Sequence, residues 1–346
     1  MTALNPLKHL FAAEPPDNAV RYAQRPGHVE SYFLRANHPT RPLALWLKAT
    51  VLAPLRGTAV AEAWFIFFDG EKGTTFAHRQ TEPFSSASFL GAGDLDLDVR
   101  AAGLSLSLGE RGTAKGTFTA PHGAASVDLS WTMDPSPIAR PLSIYPWRLL
   151  RTGPFPKSKL LTPCPSLRFS GRVQLPGGAV TLTDWTGMQG HNWGKEHAFE
   201  YAWGQCLFPA QDVMVEGFSG RVRIAGRTTP RISALVVRQG ARTFAFDTLF
   251  DPWRQEAEVT LDRWALTLRS GDGEALLEMD ASGRPMVCLG YGNPNGEPSY
   301  CFNSKLAKVR LTVRPADGAS FTCESPQGGA LEFLRREVDP RFPHVV

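Results

Sequence analysis

Long stretches of this chain alternate between apolar and polar residues with a period of two, and this pattern restricts the fold more than any other feature. The alternation is clear at Glu30, Tyr32 and Leu34, and it returns between residues 90 and 133. A period of two places successive side chains on opposite faces of an extended strand, whereas a helix has a period of 3.6. Glycine (32 residues) and proline (28 residues) are frequent, as turns between strands require. The pattern predicts an all-β protein with few helices.

Other segments add detail to this prediction. The segment TAVAEAWFIFFDG is apolar over most of its length, so residues 65–68 should lie in a strand that is buried on both faces. Two hairpins are expected, one turning at residues 176–178 (Pro-Gly-Gly) and one at Gln239-Gly240. The proline-rich segment from 135 to 165 should be unable to form the interior of a sheet.

The length of the chain indicates two domains. At 346 residues it exceeds the size at which a single hydrophobic core usually stops growing, about 250 to 300 residues. The rhythm of strands and turns in 256–290 resembles that in 95–131, which suggests two small barrels or sandwiches in tandem. We expect a leader at 1–27, a first β domain with a proline-rich crossover at 28–165, and a second β domain at 166–346.

Composition excludes several classes of function. The 37 basic and 33 acidic residues are spread along the chain and give a net charge of +4, so no nucleic-acid partner is expected. The five cysteines are widely separated, which predicts neither a disulfide framework nor a structural zinc site. No apolar run approaches the roughly 20 residues that span a bilayer, and no Walker loop, GxSxG elbow or strand-linked GxGxxG occurs. A cytoplasmic location is expected, with peripheral membrane contact and oligomeric state left open.

The run DWTGMQGHNWGKEHAFEYAWGQC, from Asp184 to Cys206, combines three tryptophans with groups that exchange protons. Buried polar groups must be hydrogen-bonded or must serve a ligand, so this run is predicted to form the wall of a pocket for a large apolar molecule. Its glycines predict a loop that enters a strand at Tyr201. In that strand Tyr201, Trp203 and Gln205 would share one face.

Within this pocket His191 is the candidate for proton transfer, because an imidazole changes charge near neutral pH. Asp184 or Tyr201 would orient it. The residues expected to bind the substrate are Trp185, Trp193, Trp203, Asn192, Gln205, His197, Glu30 and Trp64.

Structural roles are the alternative for the same residues. His191 and Asn192 could satisfy loop carbonyls while Trp193 plugs the end of a barrel. Glu30 and Trp64 could be core residues of the first domain. A metal site is not expected, because the two histidines of the run are six residues apart in a predicted loop.

The segments GHVESYFLRAN, AEAWFIFFDG, GxxxHNWG and YAWGQC resemble the lipocalin-like superfamily that contains carotenoid hydratases (hydroxyneurosporene synthases), tocopherol-cyclase-like proteins and fungal lipocalin-type pericyclases. The resemblance implies two lipocalin-like β domains side by side. It also implies water addition to an isoprenoid double bond without an organic cofactor, with His191 and Trp193 matching the functional H-x-W pair. This chain has Gln189-Gly190 where an acidic residue tends to precede that histidine.

We therefore expect a cofactor-independent enzyme that acts on a hydrophobic substrate, isoprenoid-like or polyketide-like, by acid/base-initiated hydration or cyclisation. The alternative is a protein that binds a lipid or another hydrophobic ligand without chemistry. A third alternative is a structural scaffold with a filled interior.

Overall fold

Two large antiparallel sheets account for almost all of the structure, a computed structural model that describes residues 18–93, 95–121, 123–224, 227–248, 251, 253, 255–342 and 344. The all-β prediction is confirmed. The described part contains one α-helix, a single turn at Arg148–Thr152 (α1), and three short 3-10 turns at Phe84–Ser86, Pro137–Ala139 and Pro209–Gln211. Among the described residues, no helix is long and apolar enough to cross a membrane.

The first sheet has eleven strands in the order β4-β3-β2-β1-β11-β10-β9-β8-β7-β6-β5. The strands are β1 (His28–Asn37), β2 (Leu43–Ala53), β3 (Val60–Asp69), β4 (Thr74–Pro83), β5 (Ser88–Gly93), β6 (Asp96–Ala101), β7 (Leu104–Leu108), β8 (Arg111–Ala120), β9 (Gly123–Met133), β10 (Ser158–Leu175) and β11 (Gly178–Gly194).

The second sheet has the order β17-β16-β13-β12-β23-β22-β20-β19-β18, with β21 also paired to β22. Its strands are β12 (Glu200–Phe208), β13 (Val213–Arg221), β16 (Ile232–Gln239), β17 (Arg242–Asp247), β18 (Gln255–Val259), β19 (Arg263–Ser270), β20 (Gly273–Asp280), β21 (Val287–Tyr291), β22 (Ser299–Pro315) and β23 (Phe321–Arg335). The strands β14 (Arg223–Ile224) and β15 (Arg227–Thr228) form a separate ribbon.

The two sheets share one plan. In each, the first strand pairs with the last one, β1 with β11 and β12 with β23, and each sheet curls around its own apolar core. In the first core, Leu45 and Phe65 from one arm of the sheet join Leu106 and Val127 from the other arm. This repetition is the tandem arrangement that the sequence predicts.

A third apolar cluster lies between the sheets, because several strands are apolar on both faces. In β3, Phe65 faces the first core while Trp64 and Ile66 face the second sheet. The sequence prediction of a strand buried on both faces is confirmed here. The opposing residues come mainly from β12, β21, β22 and β23.

The change from one sheet to the other occurs later in the chain than residue 165, the end of the predicted first domain. Both β10 and β11 pair within the first sheet, so the crossover to the second sheet falls at 195–199. Two prolines of the supposed crossover, Pro163 and Pro165, lie inside β10, where the register with β11 shifts between Leu161 and Leu167. Bulges of this kind accommodate residues that lack a backbone N–H.

The predicted loop before Tyr201 is also corrected, because β11 continues to Gly194. The glycines of this strand serve close packing and do not break it. A Cβ atom on Gly187 would lie 1.8 Å from the backbone oxygen of Arg35, and one on Gly190 would lie 2.2 Å from the ring of Phe33. Both hairpins appear as predicted, with Leu175 paired to Gly178 and Gln239 paired to Arg242.

Candidate functional site

A pocket with a volume of about 180 Å³ lies between the two sheets. Strands β1 and β2 of the first sheet form one wall, and β12, β13 and β16 of the second sheet form the other. The segment from Ile144 to Leu160, which includes α1, closes one side. Lys159 anchors this segment, since its ammonium group donates to the backbone oxygens of Leu150 (3.0 Å) and Pro156 (2.7 Å).

Aromatic side chains form the walls of the pocket. Trp203 stands edge-on to Phe33, with ring centroids 6.1 Å apart and planes at 88°. Trp46, Tyr201 and Tyr291 also line the cavity. Such rings offer a broad apolar surface, and their faces attract a cation by about 0.5 to 2 kcal/mol each.

A buried carboxyl group holds Trp203 in place. The indole Nε1 donates to Glu216 Oε1 at 3.1 Å, and the hydroxyl of Thr162 donates to the same carboxyl group at 2.7 and 2.8 Å. Burial raises the pKa of Glu216 to about 7, although these hydrogen bonds act in the opposite direction. The hydrogen bond to Glu216 therefore fixes the orientation of the Trp203 ring.

Lys48 projects from β2 into a cage of aromatic rings. Its ammonium nitrogen lies 3.8 Å from the ring centroid of Tyr291, 5.3 Å from that of Trp64 and 5.7 Å from that of Trp46. Burial lowers the pKa of Lys48 to about 8. None of the described residues accepts a hydrogen bond from this ammonium group or forms an ion pair with it within 4 Å.

Glu332 contributes a carboxylate to the pocket, from a position directly opposite Trp203 across the β12–β23 ladder. Its Oε1 accepts from Lys305 Nζ at 2.5 Å and from Asn303 Nδ2 at 3.2 Å. Its Oε2 has the thiol of Cys301 at 3.6 Å.

Tyr201 and His197 are neutral groups in the same pocket. Burial, with Cys301 and Glu332 close by, raises the pKa of Tyr201 well above its usual value, so the phenol keeps its proton. Burial, together with the positive charges of Lys48 and Arg336, lowers the pKa of His197 to about 3. The His197 ring is therefore a neutral imidazole that packs 5.1 Å from Tyr291.

His191 belongs to a different cluster, inside the first sheet. Its Nε2 donates to Glu30 Oε1 at 2.9 Å, and its ring stacks on Tyr32 with centroids 4.3 Å apart. Glu30 also accepts from the hydroxyl of Tyr32 (2.8 Å) and from the backbone nitrogens of Arg21 and Tyr22 (2.7 to 3.1 Å). Burial alone would raise the pKa of Glu30, but hydrogen bonds from His191 and His28 outweigh it and hold that pKa well below its usual range.

The alternation of side chains along β11 explains why its predicted site residues lie in two different places. Successive residues of β11 point to opposite faces, so Asn192 lines the pocket while His191 and Trp193 turn toward the first core. The pocket contains four of the predicted site residues. They are Tyr201, Trp203, Asn192 and His197.

The remaining predicted residues lie elsewhere. Asp184 sits on the surface with 65% of its side chain exposed, 3.2 Å from Arg168, and does not approach His191 or the pocket. Trp185 is packed in the first core. Gln205 is buried between the sheets, where it donates to the backbone oxygen of Pro165 at 3.2 Å. Trp64 lies under Lys48.

Sequence reasoning missed Lys48, Tyr291 and Glu332. A signal was available for Lys48, because it is the one charged residue in the strand LALWLKATVLA, whose other side chains are almost all apolar and buried. A charge in such a strand is costly unless it is paired or serves a ligand. Among the described residues, no group of three or more His, Cys, Asp or Glu side chains is arranged to hold a metal ion.

Comparison with solved structures identifies the fold. A protein of Nitrosomonas europaea provisionally assigned as AttH superposes with a TM-score of 0.56 at 13% identity, over 90% of this chain and 93% of that chain. Kievitone hydratase from Nectria haematococca superposes with a TM-score of 0.54 at 10% identity, over 88% of each chain. This chain has a lipocalin-like fold. The predicted resemblance is thus confirmed at the level of the fold.

Sequence comparison adds two relatives of unknown activity. They are uncharacterized proteins of the Mycobacterium tuberculosis strains CDC 1551 and H37Rv, each 22% identical over 296 residues, which cover 85% of this chain and 83% of theirs. No protein-family model matches the chain. Identities this low establish a shared fold and leave the chemistry to be argued from the site.

Proposed function

We propose that the protein is a cofactor-independent enzyme that binds a hydrophobic small molecule between its two sheets and hydrates or cyclises it by proton transfer. The observation that carries the proposal is an aromatic-walled pocket that also holds a buried carboxylate, Glu332, and a neutral phenol, Tyr201. The shared fold with a protein named as a hydratase is consistent with this proposal.

In hydration, one carbon of a double bond gains a proton and the other bonds to the oxygen of water, which must lose a proton. Glu332 is the proposed base for that water, and Tyr201 is the proposed proton donor. Because burial disfavours the phenolate, Tyr201 can donate only as Glu332 takes up the proton from water. Return of that proton from Glu332 to Tyr201 restores both groups.

The aromatic walls have two roles in this scheme. Trp203 and Phe33 exclude bulk water from the substrate, which strengthens the electrostatic interactions within the pocket. The ring faces also stabilise positive charge that develops on carbon, by cation–π attraction. Cyclisation would use the same groups, with a substrate double bond or hydroxyl in place of water.

The first test identifies the molecule that the pocket binds. Protein purified from its own host is examined by native mass spectrometry, and the extracted ligand is incubated with fresh protein in ¹⁸O-labelled water. Hydration adds one labelled water to the ligand, whereas cyclisation changes its structure without changing its mass.

Matched variants then test the residues. Glu332→Gln and Tyr201→Phe should each lower turnover by about 10²- to 10⁴-fold while ligand affinity stays within a few-fold. Asp184→Asn makes the same carboxylate-to-amide change on the exposed surface and should keep turnover within about twofold. Full turnover by Glu332→Gln would exclude the proposed base.

A carrier is the second candidate, because His191, the residue expected to transfer the proton, does not face the pocket. In a carrier the aromatic walls alone would be needed. Trp203→Ala would then weaken ligand binding, and the bound molecule would always be recovered unchanged.

A further inference from the structure

Two neighbouring residues of β2 that line the pocket are buried and carry donors without an acceptor among the described residues. The indole Nε1 of Trp46 is buried and unpartnered, and the ammonium nitrogen of Lys48, which lies against aromatic rings, makes no hydrogen bond or ion pair with a described residue. The two residues are separated by one position on β2, so they share the face that meets the second sheet. Both are buried, with an exposed fraction of 2% for each residue.

Nearby lysines show that this situation is unusual for the protein. Lys305 is equally buried, but its ammonium group pairs with Glu332 at 2.5 Å. Lys159, also at the pocket, has two carbonyl acceptors. A buried ammonium that packs against ring faces and makes no hydrogen bond retains unused donors, and a buried indole N–H without a partner is rare in folded proteins.

The structure assigns these two donors to the ligand: we propose that the molecule bound in the pocket carries an anionic oxygen, as a carboxylate or phenolate, that accepts hydrogen bonds from Lys48 and Trp46. Its apolar body would then lie along the wall formed by Phe33 and Trp203. This inference rests on the proposed function, because it names the substrate class of the same pocket.

The charges around Lys48 leave room for such an anion. Ionisable groups face it from several elements: Glu62 on β3, Arg79 on β4, His197 before β12, Tyr291 on β21, Cys301 on β22 and Glu332 on β23. The two carboxylates have partners of their own. Glu62 accepts from the indole of Trp64 at 3.1 Å and lies 3.9 Å from Arg79, and Glu332 is paired with Lys305. The charge of Lys48 is thus left for a ligand.

Calorimetric titration with decanoate and 1-decanol tests the inference, because the two probes share an apolar chain and differ in the charge of the head group. The wild-type protein should bind decanoate at least tenfold more tightly than decanol. Lys48→Met should remove this preference while keeping the affinity for decanol, and Trp46→Phe should weaken decanoate binding by about threefold to tenfold. Lys157→Met, an exposed lysine, is the control and should keep the preference.

The pH dependence of the wild-type protein provides a test that needs no variant. As the pH rises through about 8, Lys48 of the free protein loses its proton, so the affinity for decanoate should fall while that for decanol stays constant. Equal affinity for both probes, or an unchanged preference in Lys48→Met, would overturn the inference. Either result would still agree with a pocket that binds a hydrophobic molecule. Failure of both probes to bind would overturn the inference and count against the proposed function as well.

Discussion

The two buried polar clusters of this protein differ in whether their hydrogen bonds are complete. Around Glu30, inside the first sheet, every carboxylate oxygen has donors, and His191, Tyr32 and two backbone nitrogens converge on it. Around Lys48, between the sheets, an ammonium group packed against aromatic rings and the indole N–H of Trp46 have no hydrogen-bond acceptor among the described residues.

Whether the hydrogen bonds are complete distinguishes a structural cluster from a candidate binding site more clearly than the types of residue in it do. The Glu30 cluster contains the histidine that chemistry would favour, yet its groups are occupied in connecting residues 18–22 to β1. The Lys48 cluster contains no histidine with a proton-transfer geometry, but the ammonium of Lys48 and the indole N–H of Trp46 have no acceptor among the described residues. These unused donors are the reason for proposing a ligand there. A complete network stabilises the fold, whereas an incomplete one at a cavity indicates a ligand.

The largest expected effect contrasts the two clusters directly. Glu30→Gln should lower the free energy of unfolding by about 3 to 5 kcal/mol, because several buried donors would then meet an amide in place of a carboxylate. Lys48→Met should increase it, since a buried charge is removed and no described residue would lose a hydrogen bond. Urea unfolding of both variants at pH 7 measures this difference.

The dependence of the unfolding free energy on pH below 4.5 provides the control for Glu30. Its pKa is depressed in the folded state, so its contribution is present above the unfolded pKa, near 4.5, and is lost as the pH falls toward the folded pKa. The stability of Glu30→Gln should therefore depend less on pH below 4.5 than that of the wild type. Parallel curves would contradict the role given to this carboxylate.

The dependence of stability on pH above 8 should show how much the buried charge of Lys48 destabilises the folded protein. Its pKa is about 8 in the folded protein against 10.5 in the unfolded chain, so the unfolded chain binds more protons between these values. The stability contribution of Lys48 therefore rises with pH across this window, by roughly 3 kcal/mol. Lys48→Met should therefore be more stable than the wild type at pH 8 and below, and this difference in stability should shrink between pH 8 and 10.5. Thermal unfolding across that range measures it.

A smaller effect is expected at the wall of the pocket. Trp203→Phe removes the indole donor to Glu216 and leaves a small void, at a cost of about 2 kcal/mol. The pKa of Glu216 should rise further above about 7, because a hydrogen bond to its ionised form is lost. Infrared absorption of the protonated carboxyl group follows this change, and an unchanged titration would mean that Trp203 does not stabilise the carboxylate.

The smallest effect is expected at the surface. Asp184→Asn should alter the free energy of unfolding by less than about 0.5 kcal/mol, because its ion pair with Arg168 is exposed to solvent and asparagine tolerates the positive φ of this position as aspartate does. Ligand binding should stay within twofold of the wild type in the same calorimetric assay. A large loss of binding would show that the site extends to this face of β11.

Most strands could be predicted from the sequence, because a period of two is a local property of the backbone. The same rule predicted that Tyr201, Trp203 and Gln205 share a face, and all three lie on the side of β12 that meets the first sheet. The interpretation of glycine as a strand breaker was wrong for β11, where the glycines allow close approach to Arg35 and Phe33 within a continuous strand. That reading could be corrected only once the neighbouring strand was known.

The candidate site was predicted less well than the fold. The aromatic run did supply Trp203, Tyr201, Asn192 and His197, but Glu332, Tyr291 and Lys48 come from strands far away in the chain. Which residues meet across a sheet or between two sheets depends on pairing and packing, and neither is encoded in local spacing.

The sequence by itself determined that this protein is built from two tandem β units with apolar cores, because alternation and turn residues act locally. The tertiary structure alone decided which of two apolar faces meets the other sheet. Strands such as β2 and β3 are apolar on both sides, so only the packing of one sheet on the other brings Lys48, Trp203 and Glu332 around a common pocket.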